Sequence, residues 1–205
     1  MSFPSTGQLR WVVKPLWFVA CLAPFIWMNL QAFGVVDSAL GDDPIEATQE
    51  YMGIWAFRLL LLTLALTPLR KLTGQLWLAR LRRMTGLFAL FYAFMHALNY
   101  AGADKQLDWM AMLGDMLDRP FIALGALSLL GLLLLGFTST AGWQQRLGRS
   151  WKSLHKLIYG IAILVTVHFW WQADGNYAEP AIYTAVLAAL LGSRVKRTKR
   201  PEVTV

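Results

Sequence analysis

Three histidines are the residues of this sequence best suited to chemistry. His96, His155 and His168 lie in or beside long apolar stretches of the 205-residue chain. Ionisable side chains at membrane depth are costly to bury, so they are candidates for function. A neutral imidazole binds transition metals well, because one ring nitrogen can hold the metal while a hydrogen bond orients the other. Whether the three can act together depends on the helices that position them.

The composition indicates that lipid is the main solvent of this chain. Hydrophobic residues make up 57% of it and charged residues only 15%, with ten Trp and eleven Phe. Soluble domains carry about a quarter of their residues as charges. The net charge of +7 therefore calls for a membrane explanation, and we predict a lipid bilayer rather than nucleic acid as the partner. The single cysteine, Cys21, excludes an intramolecular disulfide and any paired-cysteine motif.

Apolar windows of about the bilayer length predict six transmembrane helices in a single domain covering residues 1–205. The predicted spans are 11–30, 51–69, 84–101, 120–137, 154–171 and 180–192. The first is interpreted as a retained helix, because it is longer than the apolar region of a signal peptide and lacks a small-residue cleavage pattern. We therefore predict an all-α, polytopic membrane helix bundle.

The distribution of charge predicts the orientation of the bundle. Basic residues cluster in alternate segments: the N-terminus, the 70–83 loop, the 139–153 loop with Lys156, and the C-terminal tail. The opposite side has only Lys105 and Arg119 as basic residues, and it carries every acidic residue except Glu202. Because positively charged loops stay inside, both termini are predicted to be cytoplasmic.

Depth in the bilayer pairs two of the histidines. The third and fifth predicted helices both run outward, so His96 lies roughly 7 Å and His168 roughly 5 Å below the outer boundary, at 1.5 Å per residue. Two histidines at one level on different helices suit an iron porphyrin clamped by two imidazoles. Zinc is less well supported, because it usually takes four ligands and no Cys or carboxylate lies at that level. The alternative is that each histidine makes a helix-to-helix hydrogen bond.

The remaining histidine lies near the inner face. His155 precedes His168 by 13 residues, about 19.5 Å along a helix, which is the spacing that two stacked redox centres would need. In an ideal helix their side chains would point about 140° apart. The matching level of the third helix carries Arg82 and Arg83, which are not ordinary haem ligands. An inner haem would need water, a weak ligand such as Met84, or a loop group beside His155, which could otherwise simply be solvated.

Two further features of the predicted spans have open interpretations. Arg58 in the second helix could pair with a haem propionate, or its side chain could snorkel outward. Gly125, Gly131 and Gly136 in the fourth helix could admit a flat porphyrin face. Small residues are also ordinary at contacts between membrane helices, so packing is the favoured interpretation of these glycines.

The basic inner loops bear on the source of electrons. Arg82 and Arg83 could contact a flavin phosphate or an acidic reductase, or the loops could simply attract anionic lipid. The sequence has neither a G-x-G-x-x-G segment opening a helix nor a P-loop. Electrons would therefore have to arrive from a separate protein, a flavin or a membrane quinol.

Segments spread over nearly the whole chain resemble the MsrQ (YedZ) family, within the ferric-reductase-like transmembrane superfamily. They are GDDP at 41–44, LALTPLR at 64–70, RLRRMTG at 80–86, His96 with Asn99 and Tyr100, DRPF at 118–121, FTST at 137–140, and LGRSWKSLHKLIY at 147–159. The most specific part of the resemblance is the combination of Trp151, His155 and Tyr159.

The resemblance implies a function in electron transfer. It associates His96, His155 and His168 with one or two copies of haem b, and it implies that FMN can be bound. Electrons would come from the quinone pool or a cytoplasmic flavin reductase and pass to MsrP, a periplasmic molybdopterin subunit that reduces methionine sulfoxide in oxidised proteins. The chain would then lie in the bacterial inner membrane with no substrate-reducing site of its own.

One feature departs from the larger superfamily: its fourth histidine is missing from this sequence, so an inner haem would have His155 as its single histidine ligand. Two other functions also stay open: a free-standing transmembrane ferric or quinone reductase that uses the same haems, and a small transporter that binds no haem.

Overall fold

The computed structural model describes residues 4–37, 40–173 and 175–195, and all regular secondary structure in this part of the chain is helical. The helices are α1 (Thr6–Ala32), α2 (Pro44–Thr73), α3 (Arg82–Asn99), α4 (Trp109–Asp118), α5 (Pro120–Phe137), α6 (Ala141–Leu147), α7 (Arg149–Leu154), α8 (Leu157–Trp171) and α9 (Ala178–Val195). A short 3₁₀ helix, Leu76–Arg80, leads into α3, and a π-helical turn, Tyr100–Asp104, follows it. The all-α prediction is confirmed.

Four segments of the described chain are long and apolar enough to cross a membrane. They are Thr6–Ala32, Pro44–Thr73, Pro120–Phe137 and Arg149–Trp171. The helices α3 and α9, each of 18 residues, occupy the other two predicted windows. The chain is thus a helical membrane protein, while the count of six spans and the cytoplasmic position of both termini stay predictions.

Four helices form the central bundle. The helix α2 packs against α3 and α8, and α5 packs against the same two helices from the other side. Consequently α3 and α8 face each other across the bundle. The helix α1 covers α2 and α3, and α9 covers α8 and α2.

The beginning and end of α2 follow from local chemistry. Asp43 accepts hydrogen bonds from the backbone N–H groups of Ile45 and Glu46, and Pro44 occupies the first helical position, where a missing N–H does no harm. Gly74 ends the helix with a φ of 71°, a conformation that glycine adopts without a steric penalty. The helix therefore begins at residue 44, two turns before the predicted start at residue 51.

A tyrosine hydroxyl joins α1 to α3. Tyr92 is fully buried, and its hydroxyl donates to the carbonyl of Cys21 and accepts from the backbone N–H of Phe25. In an uninterrupted helix those two backbone groups would bond each other. The hydroxyl is thus inserted between hydrogen-bonding backbone groups of α1, next to Pro24. Such an insertion is a known cause of helix bending.

Candidate functional site

The central feature of the bundle is a pair of histidines that face each other between α3 and α8. The ring centres of His96 and His168 are 6.3 Å apart, and the ring planes are nearly perpendicular, at 86°. Two imidazoles bound to opposite sides of one metal ion through bonds of about 2.0 Å have ring centres about 6 Å apart. The separation of this pair therefore fits two ligands of a single metal ion.

His96 is held by the neighbouring helix α2. Its Nδ1 lies 2.8 Å from the backbone carbonyl oxygen of Gln49. Since a carbonyl can only accept, Nδ1 carries the proton and Nε2 keeps the lone pair that a metal requires. The ring lies directly over Gly53, where an added Cβ would be 3.1 Å from both Cε1 and Nδ1.

His168 is held in the same way by α5. Its Nδ1 lies 2.7 Å from the carbonyl oxygen of Phe121, and a Cβ on Gly125 would be 3.0 Å from its Cε1. The His168 Nε2 makes no hydrogen bond within the described part of the chain. Both rings therefore present an unprotonated Nε2.

The two halves of the site share one construction. In each, the accepting carbonyl belongs to the residue four positions before the glycine, on the same helix. A helix carbonyl points toward the N–H of the residue four positions later, so a side chain at that position would stand beside the oxygen. Glycine leaves the oxygen open to a second donor from another helix. Gly53 and Gly125 thus permit the close approach of both imidazoles.

Gln49 also contacts His96 through its side chain. Its Nε2 is 3.3 Å from His96 Nε2, and its Oε1 accepts a hydrogen bond from Asn99. Because His96 donates through Nδ1, the amide donates to Nε2. Binding of a metal at that nitrogen would require only the amide end of Gln49 to rotate away.

His155 lies at the other end of the bundle, in a break between α7 and α8. Its ring stacks on Trp151 with centres 4.0 Å apart, and its Nδ1 is 3.2 Å from the Trp151 carbonyl oxygen. Its Nε2 is 3.4 Å from Ser139 Oγ. The Trp151 indole in turn donates to the carbonyl of Thr138. Because the helix is broken here, the angle of about 140° between the His155 and His168 side chains, expected for one continuous ideal helix, does not apply.

The arginines named from the sequence have different surroundings. Arg82 and Arg83 are exposed in the first turn of α3. Arg58 points to α9, where its Nε donates to the Tyr183 hydroxyl at 2.6 Å and a terminal nitrogen lies 3.9 Å from Glu179. The structure thus brings His96 and His168 together and leaves His155, Arg82 and Arg83 outside that pair.

Several residues of the site were not found from the sequence. Gln49 and Gly53 in α2 and Phe121 in α5 have no local signature, since their contacts with the histidines depend on how helices pack. Gly125 was noted for its small size, and its neighbour is the His168 ring. Gly131 and Gly136 instead contact Ile161 and Leu90, so they serve packing.

The chemistry of the ligand set favours a metal already held by an organic group. Within residues 4–37, 40–173 and 175–195, no three or more His, Cys, Asp or Glu side chains come together around a common point. A bare ion usually takes four or more protein ligands, whereas haem iron needs only two axial ones. His96 and His168 would therefore be able to hold a haem through its iron.

Comparisons with known proteins agree with this architecture. A family model described as "Ferric reductase like transmembrane component" matches residues 52–166. The "Protein-methionine-sulfoxide reductase heme-binding subunit MsrQ" of Xanthomonas axonopodis pv. citri (strain 306) is 46% identical over 198 residues, covering 95% of this chain and 90% of the relative. The protein of the same name from Bordetella pertussis (strain Tohama I / ATCC BAA-589 / NCTC 13251) is 43% identical over 195 residues, with 94% and 93% covered. The chain therefore belongs to the MsrQ family, within the ferric-reductase-like transmembrane proteins.

Proposed function

We propose that this chain is the haem-binding membrane subunit of a protein-methionine-sulfoxide reductase system, with b-type haem held by His96 and His168. One observation carries the proposal: the two imidazoles lie 6.3 Å apart, and each is oriented by a backbone carbonyl. The names of the relatives, which describe heme-binding subunits, support it.

The chain's own residues supply binding and orientation. The carbonyls of Gln49 and Phe121 select the Nδ1-protonated tautomer, so each Nε2 keeps the lone pair that would bind a metal. Both imidazoles are half-buried in the bundle. Haem bound there supplies an iron that accepts and releases one electron at a time. Acid–base catalysis is not needed for that task, which agrees with a subunit that has no substrate-reducing site of its own.

The partners follow from orientation and family. With both termini in the cytoplasm of a bacterium, the His96–His168 pair lies near the periplasmic surface of the inner membrane. Electrons leave there for MsrP, the periplasmic molybdopterin subunit that repairs methionine sulfoxide in oxidised proteins. They arrive from the quinone pool or from a cytoplasmic flavin reductase. The absence of a nucleotide-binding motif in the sequence supports a donor outside this chain.

The inner end has a separate role in this proposal. His155 is the protein ligand available to a second haem, and the exposed Arg82 and Arg83 offer charges to the phosphate of FMN. The Nε of Arg58 is bonded to Tyr183 and a terminal nitrogen lies 3.9 Å from Glu179, so its remaining N–H groups are the ones that would hold a haem propionate. In this proposal the His96–His168 pair is the main haem site, and His155, Arg82 and Arg83 serve a second haem and FMN.

The test is a reduced-minus-oxidised absorption spectrum of the purified protein from haem-replete cells, with the ratio of haem to protein. We expect a low-spin b-type spectrum, and reoxidation of the reduced protein by MsrP carrying its molybdopterin cofactor. Reoxidation by ferric chelates but not by MsrP would favour a free-standing ferric reductase. Colourless protein would favour a transporter and would overturn the proposal.

A further inference from the structure

A cavity lies beside the histidine pair at the same end of the bundle. It has a volume of about 170 Å³ and is bounded by α1, α2 and α3. An apolar cavity of about 150 Å³ in another protein takes up benzene, so this one has room for a six-membered ring. Its lining residues lie within about two turns of the ends of their helices. The lining residues are Phe25, Met28, Asn29, Ala32, Thr48, Met52, Met95 and Asn99.

Two amide oxygens distinguish this cavity from a simple packing gap. The Nδ2 of Asn29 donates to the carbonyl of Phe25, and the Nδ2 of Asn99 donates to the carbonyl of Ile45 and to Gln49 Oε1. These acceptors fix the orientation of both amides. Neither Oδ1 has a hydrogen-bond partner among the described residues. The lining therefore combines apolar side chains and the Thr48 hydroxyl with two amides whose oxygens make no hydrogen bond to the described protein.

The cavity is connected to the candidate haem ligand. Asn99 donates to the Gln49 side chain at 3.0 Å, and the Gln49 backbone carbonyl oxygen lies 2.8 Å from His96 Nδ1. A molecule bonded to Asn99 would thus be separated from His96 by a single residue.

We propose that this cavity binds the ring of a membrane hydroquinone, with its hydroxyl groups donating to Asn29 and Asn99. This inference rests on the proposed function and assigns a location to the quinol donor. Oxidation removes two electrons and the two hydroxyl protons and leaves the quinone. The electrons leave in two successive one-electron steps to the centre proposed at His96 and His168, which passes the first electron to the periplasmic acceptor before it takes the second. The protons pass to the water at the outer surface.

The chemistry of the walls selects this ligand over others. A lipid acyl chain would fill the apolar part but would leave both amide oxygens without donors, which is unfavourable. An anionic flavin would meet no cation, because the cavity lining contains no Lys or Arg. A hydroquinone is apolar in its ring and donates at two positions, which matches the lining.

The experiment measures reduction of the purified haem protein by a short-chain ubiquinol under anaerobic stopped flow. Asn29→Leu should slow that reduction by about tenfold, the effect of one lost hydrogen bond to a bound ligand. Ala32→Phe, which fills the cavity, should slow it at least as much. Gln31→Leu is the matched control on α1, because Gln31 does not line the cavity. Quinol should reduce this variant at the same rate as the unmodified protein. Haem content and the dithionite-reduced spectrum should be the same in all four proteins.

A second readout does not depend on electron transfer. Photolabelling with a short-chain azido-ubiquinone should modify peptides of α1, α2 and α3 that line the cavity, and Ala32→Phe should abolish the labelling. Labelling of inner loops, or equal quinol rates in both variants and the control, would overturn the site. A protein with the expected haem spectrum that quinol does not reduce would overturn this inference and leave the proposed function intact. Loss of the spectrum itself would instead count against the proposed function.

Discussion

The His96–His168 end and the His155 end of this bundle, called outer and inner after the predicted orientation, use the same residue type in different surroundings. At the outer end, two histidines each receive a carbonyl acceptor and a glycine from a neighbouring helix. At the inner end, His155 stacks on Trp151 of its own segment and approaches Ser139, in the turn after α5, at 3.4 Å. The two outer rings are therefore oriented by backbone carbonyls of neighbouring helices, whereas the His155 ring lies against an indole of its own segment.

The two ends also differ in how charge is satisfied. At the outer end Lys105 lies 2.8 Å from Asp115, so an acid neutralises a base. At the inner end Arg194 bonds to neutral oxygens, the carbonyl of Leu64 and the hydroxyl of Tyr159. The inner end therefore keeps an excess of positive charge, which suits anionic groups such as phosphates and lipid headgroups.

The largest expected effect comes from removing the histidines themselves. His96→Ala or His168→Ala should lower the haem-to-protein ratio and the low-spin absorbance by at least about tenfold. Even the loss of a residue that only hydrogen-bonds to a metal ligand lowers metal affinity by about that factor, and here the ligand itself is removed. His155→Ala should retain the outer spectrum. The measurement is haem content with reduced-minus-oxidised spectra of the three variants. Unchanged haem content in both the His96 and the His168 variant would overturn the assignment of the haem site to this pair.

A smaller effect should follow from crowding the rings. Gly125→Ala places a Cβ 3.0 Å from His168, and Gly53→Ala places one 3.1 Å from His96. The ring must move off its carbonyl, so we expect about 1–3 kcal/mol of destabilisation and weaker haem retention. Thermal unfolding and haem loss to apomyoglobin measure the two consequences.

The matched control for this prediction is on α8 itself. A Cβ on Gly160 would meet no atom within 4 Å, so Gly160→Ala should be neutral or stabilising by about 0.5–1 kcal/mol. If Gly160→Ala and Gly125→Ala lost haem equally, helix propensity rather than ring placement would be the cause. That outcome would remove the distinction between the two ends.

The smallest effect concerns pH at the outer surface. The hydrogen bond from Lys105 and that from Tyr100 hold the pKa of Asp115 below its usual value, and Asp115 raises the pKa of Lys105. A lowered carboxyl pKa contributes stability above the unfolded pKa, and that contribution is lost as the pH falls through the folded pKa. The raised lysine pKa acts oppositely, and its contribution is lost as the pH rises through the folded lysine pKa. Acid should therefore loosen the contact between α4 and the turn after α3 by no more than about 1 kcal/mol.

Hydrogen exchange of the α4 amides as the pH is lowered would measure this loosening. Asp115→Asn should remove the acid-dependent step. The inner helix α6 provides the reference, because the 139–153 segment contains no acidic residue. An equal acid step in α6 would contradict the assignment to Asp115.

The helix windows were predictable because a span must be long and apolar. Helices lie at all six windows, and 120–137 agrees with α5 at both ends. The start of α2 was placed too late, since an apolar window does not detect its polar first turns. Gln49 lies in those missed turns, which is why it was not considered as a partner for His96. The helix α4 was missed because its ten residues are too short to span a bilayer.

The candidate site was likewise predictable in its histidines but not in the groups that orient them. The matched depths of His96 and His168 follow from position along two helices, so the sequence was enough to pair them. The acceptors for their Nδ1 atoms lie 47 residues away in both cases, on helices whose rotation no local pattern records.

The order of the amino acids was enough to predict an all-α membrane protein of the MsrQ family with three histidines, two of them at one depth. Hydrophobicity and spacing are properties of the chain itself, so they need no knowledge of helix packing. The packed bundle was needed to show which carbonyls orient the rings, why Gly53 and Gly125 lie beside them, and where a cavity opens near His96. Those features depend on how the helices are rotated against one another, which arises from the packing of side chains far apart in sequence.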